Sequence, residues 1–197
     1  MPELHVLLCS TRPGRAGEPI AHWFVERARA HGGFGVELVD LKALALPPLD
    51  EPRHPRLAQY EHEHTKRWSA QVARADAFVM VTPEYNFSSP PALLNAFDYL
   101  LHEWAYKPAG FVSYGGVSGG TRSAQMTKQT MTALKMVPLV EAVHIPFFQK
   151  LIVDGEFRGD ATQEKAVSTM LDELLRWESA LRVLRGKQKP SDAAAPS

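Results

Sequence analysis

Three short stretches of this chain concentrate residue types able to bind a ligand or do chemistry. The first is Ser10-Thr11-Arg12-Pro13-Gly14-Arg15-Ala16-Gly17. Its hydroxyls and backbone N–H groups can donate to phosphate oxygens. A helix beginning just after it would add unpaired donors and a favourable field. Arg12 or Arg15 could bind a phosphate bidentately. The stretch lacks G-x-G-x-x-G and also lacks the Gly-Lys-Ser/Thr of a P-loop. It therefore suits a single terminal phosphate better than a pyrophosphate. The competing reading is an exposed turn with solvent-facing arginines.

The second stretch is Thr82-Pro83-Glu84-Tyr85-Asn86-Phe87-Ser88-Ser89-Pro90. Its prolines restrict the backbone, as a rigid wall requires. An aromatic flanked by polar groups suits a flat heterocycle that needs both stacking and hydrogen bonds. The third is Gly115-Gly116-Val117-Ser118-Gly119-Gly120. Its four glycines open backbone angles closed to other residues and let the chain approach a ligand closely. No catalytic acid, base or nucleophile stands out. Cys9 is the single cysteine and reads as buried and inert. His62 and His64 are two apart on an expected helix, so they should not share a face, and no metal site is assigned. Asp76 and Asp98 read as structural.

The elements that must position these stretches alternate. Leu4 to Ser10 is an apolar run suited to a sheet covered on both faces. A helix starts near Glu18-Pro19 and stops at Gly32-Gly33, with Ile20, Trp23, Phe24 and Ala28 on one stripe. Val36 to Val39 is a second strand. Residues 42–58 are proline-rich and irregular, and a charged helix is expected over 57–73. Strands follow at 77–82, 108–114 and 140–146. Between them lie helices at 92–103 and 121–135. A last helix covers about 161–184. Strand and helix alternation of this kind predicts a doubly wound parallel sheet. Ligands in such sheets bind outside the carboxyl ends of the strands. All three stretches fall there.

Composition narrows the classes. Twenty-two basic and 22 acidic residues leave no net charge, which gives no bulk attraction to nucleic acid or an anionic membrane. No apolar run reaches the roughly 18 residues that span a bilayer, and Met1-Pro2-Glu3 does not begin like a signal sequence. A cytoplasmic protein is the expectation. The chain reads as one domain over 1–185, followed by a disordered tail over 186–197 rich in Pro, Ala, Ser and Lys.

Taken together, the motifs resemble the NAD(P)H-dependent FMN reductase family, which includes quinone- and azo-reducing members. The likeness runs over about residues 4–146. It is carried by Ser10-Thr11-Arg12-Pro13-Gly14-Arg15, Pro83-Glu84-Tyr85-Asn86, Asn95-Ala96-Phe97-Asp98-Tyr99-Leu100, Glu103-Trp104, and Val112 through Gly120. The resemblance implies a flavodoxin-like fold: a three-layer α/β/α sandwich with a five-stranded parallel sheet ordered 2-1-3-4-5. It implies that Ser10, Arg12, Arg15 and Gly17 hold the FMN phosphate. Pro83, Glu84, Tyr85, Asn86 and Phe87 would line the isoalloxazine ring. Gly115, Gly116, Ser118 and Gly119 would approach its polar edge and the ribityl chain. It also implies a homodimer, sometimes a tetramer, with the helix at 92–103 at the boundary. This chain departs from the family pattern at Cys9, where Gly is common, and at Leu94, where Lys is common. Phe87-Ser88-Ser89 stands in place of the usual glycine.

The activity so implied is hydride transfer from NADPH or NADH through FMN to a small acceptor such as a quinone or a flavin. Two other readings share the same residues. One is a reductase that supplies free reduced flavin to an oxygenase. The other is an FMN-binding electron carrier or sensor without turnover. The physiological acceptor and the preference for NADPH or NADH are not legible.

Overall fold

The computed structural model describes residues 1–186. Of the tail expected over 186–197, only Gly186 falls inside that range; the rest lies outside the described residues. Five parallel strands form one sheet: β1 (Glu3–Leu8), β2 (Gly35–Asp40), β3 (Ala77–Pro83), β4 (Pro108–Gly115) and β5 (Val137–Pro146). Their order is β2-β1-β3-β4-β5. The order reverses between β1 and β3, which places a crevice at their carboxyl ends. The fold is the expected three-layer α/β/α sandwich of flavodoxin type.

The alternation of side chains along the strands builds the two layers. Leu4, Val6 and Leu8 of β1, with Ala77, Val79 and Val81 of β3, face α1 (Gly17–His31) and α6 (Ala161–Arg185). Leu7 and Cys9, with Phe78 and Met80, face the other side. There they meet α3 (Glu63–Arg74), α4 (Pro91–Asp98) and α5 (Thr121–Ala133). Apolar residues on both faces explain why β1 and β3 read as unbroken hydrophobic runs. Trp68 and Trp104 are fully buried on this second face, and Trp68 donates its indole N–H to the Ala96 carbonyl.

Several boundaries differ from the sequence expectation. The helix expected over 57–73 begins only at Glu63. A separate turn of 3-10 helix occupies Pro55–Leu57, and Ala58 closes it in the left-handed conformation. Glu51 then captures the N–H groups of Glu61 and His62, so these residues cannot yet be helical. His62 is the residue before α3 and not part of it. Its ring stacks on His64 at 5.2 Å, which overturns the expectation that the two point apart. His64 bonds the Asp50 carboxylate at 3.0 Å.

The helix expected over 92–103 stops at Asp98, and a 3-10 turn at His102–Trp104 delivers the Trp104 ring into the core. The helix expected to reach Lys135 stops at Ala133. β5 starts three residues earlier than expected, at Val137. A register shift against Ala109–Phe111 hides its first part from a simple alternation, and Val140 is left 85% exposed. Two elements were not anticipated. One is the short α2 (Leu41–Leu44), capped by Asp40. The other is an antiparallel hairpin of β6 (Ile152–Val153) and β7 (Glu156–Phe157). Among the described residues, no helix is long and apolar enough to cross a membrane.

Candidate functional site

The loops after β1, β3 and β4 meet in a cleft of about 370 Å³. That volume lies in the range of about 300–1,000 Å³ typical of small-molecule and cofactor sites. Ser10, Arg12 and Arg15 come from the first loop, Pro83, Glu84 and Tyr85 from the second, and Gly115 and Gly116 from the third. The fold thus brings together eight of the thirteen residues singled out from the sequence.

The end of the cleft expected to take a phosphate is built on the start of α1. Ala16 precedes the helix and its side chain makes no capping bond. The N–H groups of the first turn are therefore left to an outside acceptor, apart from Pro19, which has none. Arg12 is exposed at the cleft and, among the described residues, makes no hydrogen bond or ion pair to protein. Arg15 behaves differently. Its guanidinium grips both carboxylate oxygens of Asp40, at 2.6 and 2.5 Å, and the Ser10 carbonyl at 2.8 Å. Only 8% of its side chain is exposed. Burial alone would raise the Asp40 carboxyl, but the Arg15 hydrogen bonds and charge hold it below the ordinary carboxylate range. Arg15 is thus committed to shaping the loop, while Arg12 remains the guanidinium open to a ligand.

Gly17 lies behind the cleft. A Cβ there would stand 2.5 Å from the Tyr114 hydroxyl and 2.9 Å from Leu8 Cδ1. The tyrosine can lean over the helix start only because position 17 has no side chain. Burial pushes the Tyr114 hydroxyl well above its usual range, so it stays neutral. The Ser10 hydroxyl is shared with Tyr85 at 2.7 Å, which ties the loop after β1 to the loop after β3.

On the second loop, Tyr85 and Ser88 exchange backbone hydrogen bonds of 3.0 and 2.9 Å across a tight turn. Asn86 (φ 49°) and Phe87 (φ 67°) sit at its tip, both exposed. The Phe87 ring does not enter the cleft but lies against Arg122, outside the wall it was expected to form. Glu84 accepts from Ser118 Oγ at 2.8 Å and from Arg122 Nε at 2.6 Å. Burial opposes ionisation of Glu84, yet Arg122 and Ser118 keep its pKa below the ordinary value. Ser118 therefore joins the two loops and does not line the cleft. Gly119 turns with φ 59°, and a Cβ would lie 3.0 Å from the Pro146 backbone nitrogen. Gly116 accepts from the Phe147 N–H at 3.1 Å. Among the described residues, the N–H groups of Asn86 and Gly116 donate to no protein acceptor.

Sequence reasoning missed four contributors. Tyr114, Phe148 and Gln149 line the cleft, and Asp40 holds Arg15. Phe148 and Gln149 follow the carboxyl end of β5, so the rule that located the other loops would have found them. Tyr114 and Asp40 also end strands. The donors fit a phosphorylated flat ring. An uncapped helix start and an unpaired arginine stand at one end, aromatic and proline walls flank the middle, and the free Gly116 N–H lies on the loop after β4 that closes the cleft.

Comparison with known proteins agrees with this geometry. The family profile described as NADPH-dependent FMN reductase matches residues 2–150. An NAD(P)H-dependent FMN reductase of Schizosaccharomyces pombe is 41% identical over 149 residues, spanning 74% of each chain. A 2-hydroxy-1,4-benzoquinone reductase of a Burkholderia species is 31% identical over 118 residues, which cover 59% of this chain and 57% of that one. The solved structure of FerB, a flavoenzyme NAD(P)H:(acceptor) oxidoreductase of Paracoccus denitrificans, superposes with a TM-score of 0.71. It covers 91% of this chain and 98% of its own at 20% identity, a likeness of fold. Given the profile match over most of the chain and a closely related reductase spanning three-quarters of it, this protein belongs to the NADPH-dependent FMN reductase family.

Proposed function

We propose that the protein is an FMN-dependent oxidoreductase that passes hydride from NADPH or NADH to a small acceptor such as a quinone. The observation that carries the reading is the meeting of the three strand-end loops around one cleft, with Arg12 and the uncapped start of α1 at its end. Bound FMN would supply the two-electron chemistry. The residues of the chain supply position and electrostatics.

Arg12, the Ser10 hydroxyl and the first N–H groups of α1 would hold the phosphate. The Arg15–Asp40 pair fixes the loop from behind. Pro83, Glu84 and Tyr85 form a wall that Ser118 and Arg122 brace through Glu84. The N–H groups of Asn86 and Gly116 would donate to the ring's polar edge, where negative charge grows on reduction. No side chain of the cleft is assigned a proton. A homodimer is part of the same reading, on the strength of the family.

The test is an anaerobic spectral titration. The purified protein is loaded with FMN, and NADPH or NADH is added, followed by a quinone. Flavin absorbance should bleach with the nicotinamide and recover with the quinone. A protein that leaves FMN unbound, or whose flavin bands persist under both nicotinamides, refutes the reading.

A further inference from the structure

The loop after β4 is held by contacts that begin outside the cleft. Ser113 and His144 are partners in register on β4 and β5, so their side chains stand on one face of the sheet. Ser113 is fully buried, while His144 is exposed on the edge strand. The Ser113 hydroxyl donates to the Gly119 carbonyl at 2.8 Å, and the same oxygen lies 2.7 Å from His144 Nδ1. A carbonyl can only accept, so the one hydroxyl proton is committed to Gly119. The bond to the ring must then run from Nδ1–H to Ser113 Oγ. This fixes the tautomer and leaves the Nε2 lone pair open. The pair is therefore not a nucleophile and its base, which would need the serine proton aimed at the ring. Burial and the charge of Lys128 hold the imidazole below its ordinary value, so it is neutral at physiological pH.

The carbonyl so held belongs to the tightest part of the glycine loop. Gly119 and Gly120 are buried, with φ of 59° and 80°. A Cβ on Gly120 would stand 2.7 Å from the Tyr114 nitrogen and 2.9 Å from Ser113 Cβ, so the loop lies directly on the end of β4. The Gly119 N–H donates to the Gly116 carbonyl at 3.1 Å. Gly116 lines the cleft, and its own N–H is free among the described residues. Hydrogen bonds thus lead from the His144 ring through Ser113 and Gly119 to Gly116.

We propose that His144 is a positioning residue for the flavin: through Ser113 and Gly119 it fixes the backbone that offers the Gly116 N–H to the ring's polar edge. The proposal rests on the FMN reading above and adds to it a side chain that lies outside the cleft. Without the Nδ1–H, the Ser113 hydroxyl is free to rotate off Gly119, and the buried Gly119 carbonyl loses its partner. The loop then holds Gly116 less firmly. Reduction puts more negative charge on the polar edge, so a donor fixed there favours the reduced ring over the oxidised one.

The test uses the full chain. In the FMN-free protein at about pH 8, above the ordinary range of histidine, nitrogen NMR should show His144 with a protonated Nδ1 and a bare Nε2. The FMN-loaded protein is then titrated against a reference dye for its two-electron potential. His144→Gln sets its amide one bond too far out to replace Nδ1–H. It should weaken reduced FMN about tenfold more than oxidised FMN, which lowers the potential by about 30 mV. His144→Asn places an amide N–H where Nδ1 stands and should keep the wild-type potential. Scanning calorimetry confirms that both variants fold. A lower melting temperature in His144→Gln with an unmoved potential would make His144 a structural residue and overturn the proposal. A bare Nδ1, or an Asn variant that shifts as far as Gln, would overturn it too. If the unmodified protein binds no FMN, the functional reading beneath falls as well, whereas failure of the His144 arms alone leaves that reading standing.

Discussion

Removing the charge of Asp40 tests how the loop after β1 is held. In Asp40→Asn the carboxylate that accepts two Arg15 bonds becomes an amide with one oxygen. The cap on Lys42 N can survive, because that bond needs only one acceptor. What is lost is charge pairing around a guanidinium that is almost fully buried. Breaking a buried pair costs about 3–5 kcal/mol. Asp40 is 27% exposed, so part of that is screened, and about 2–3 kcal/mol remains. For a domain of this size the melting temperature should fall by about 4–12 °C at neutral pH.

The sign with pH follows from the same pair. The Asp40 carboxyl is held below its ordinary value of 3.8 in the fold. Its contribution is therefore complete above that value and is lost as pH falls through the lowered one. The gap between wild type and Asp40→Asn should narrow steadily on acidification below pH 3.8. Scanning calorimetry at neutral and acid pH measures both quantities, and a cycle with Arg15→Gln isolates the coupling. If Asp40→Asn melts within about 1 °C of wild type at pH 7, or if the gap does not shrink in acid, the buttress assigned to Arg15 is wrong.

Two further substitutions probe the same cleft. Arg12→Ala should raise the FMN dissociation constant by about 30-fold, the loss of one charge-assisted phosphate contact. Fluorescence titration reads it, and an unchanged constant would remove Arg12 from the phosphate site. Gly17→Ala inserts a methyl 2.5 Å from the Tyr114 hydroxyl. Overpacking of that kind costs about 1–3 kcal/mol. Thermal melts should fall by several degrees and FMN should bind more weakly, whereas an unaltered melt would show that Tyr114 moves aside freely.

How much of the site was legible depended on distance along the chain. The hydrophobic runs of β1, β3 and β4 announced strands covered on both faces, and the loops after them were identifiable from Arg, Pro and Gly content. The partner of Arg15 was not, because Asp40 is 25 residues away and meets it only once β1 and β2 lie side by side. Phe87 looked like part of the ring wall from its place in Pro83 to Phe87. The turn's two left-handed residues point it instead toward Arg122, 35 positions later. His62 was misplaced in a helix because the periodicity of 57–73 carries no sign that Glu51 would seize the preceding N–H groups.

The sheet, its parallel sense and the three loops that gather at its end were readable from the chain alone. Those follow from unbroken apolar runs alternating with helical periodicity and from glycine and proline, which are local signals. Tertiary structure alone decided which arginine is spent on the fold and which is left for a ligand, and which aromatic faces the cleft. Those outcomes depend on charge pairs and close contacts between strands and helices distant in the chain, and no local pattern encodes them.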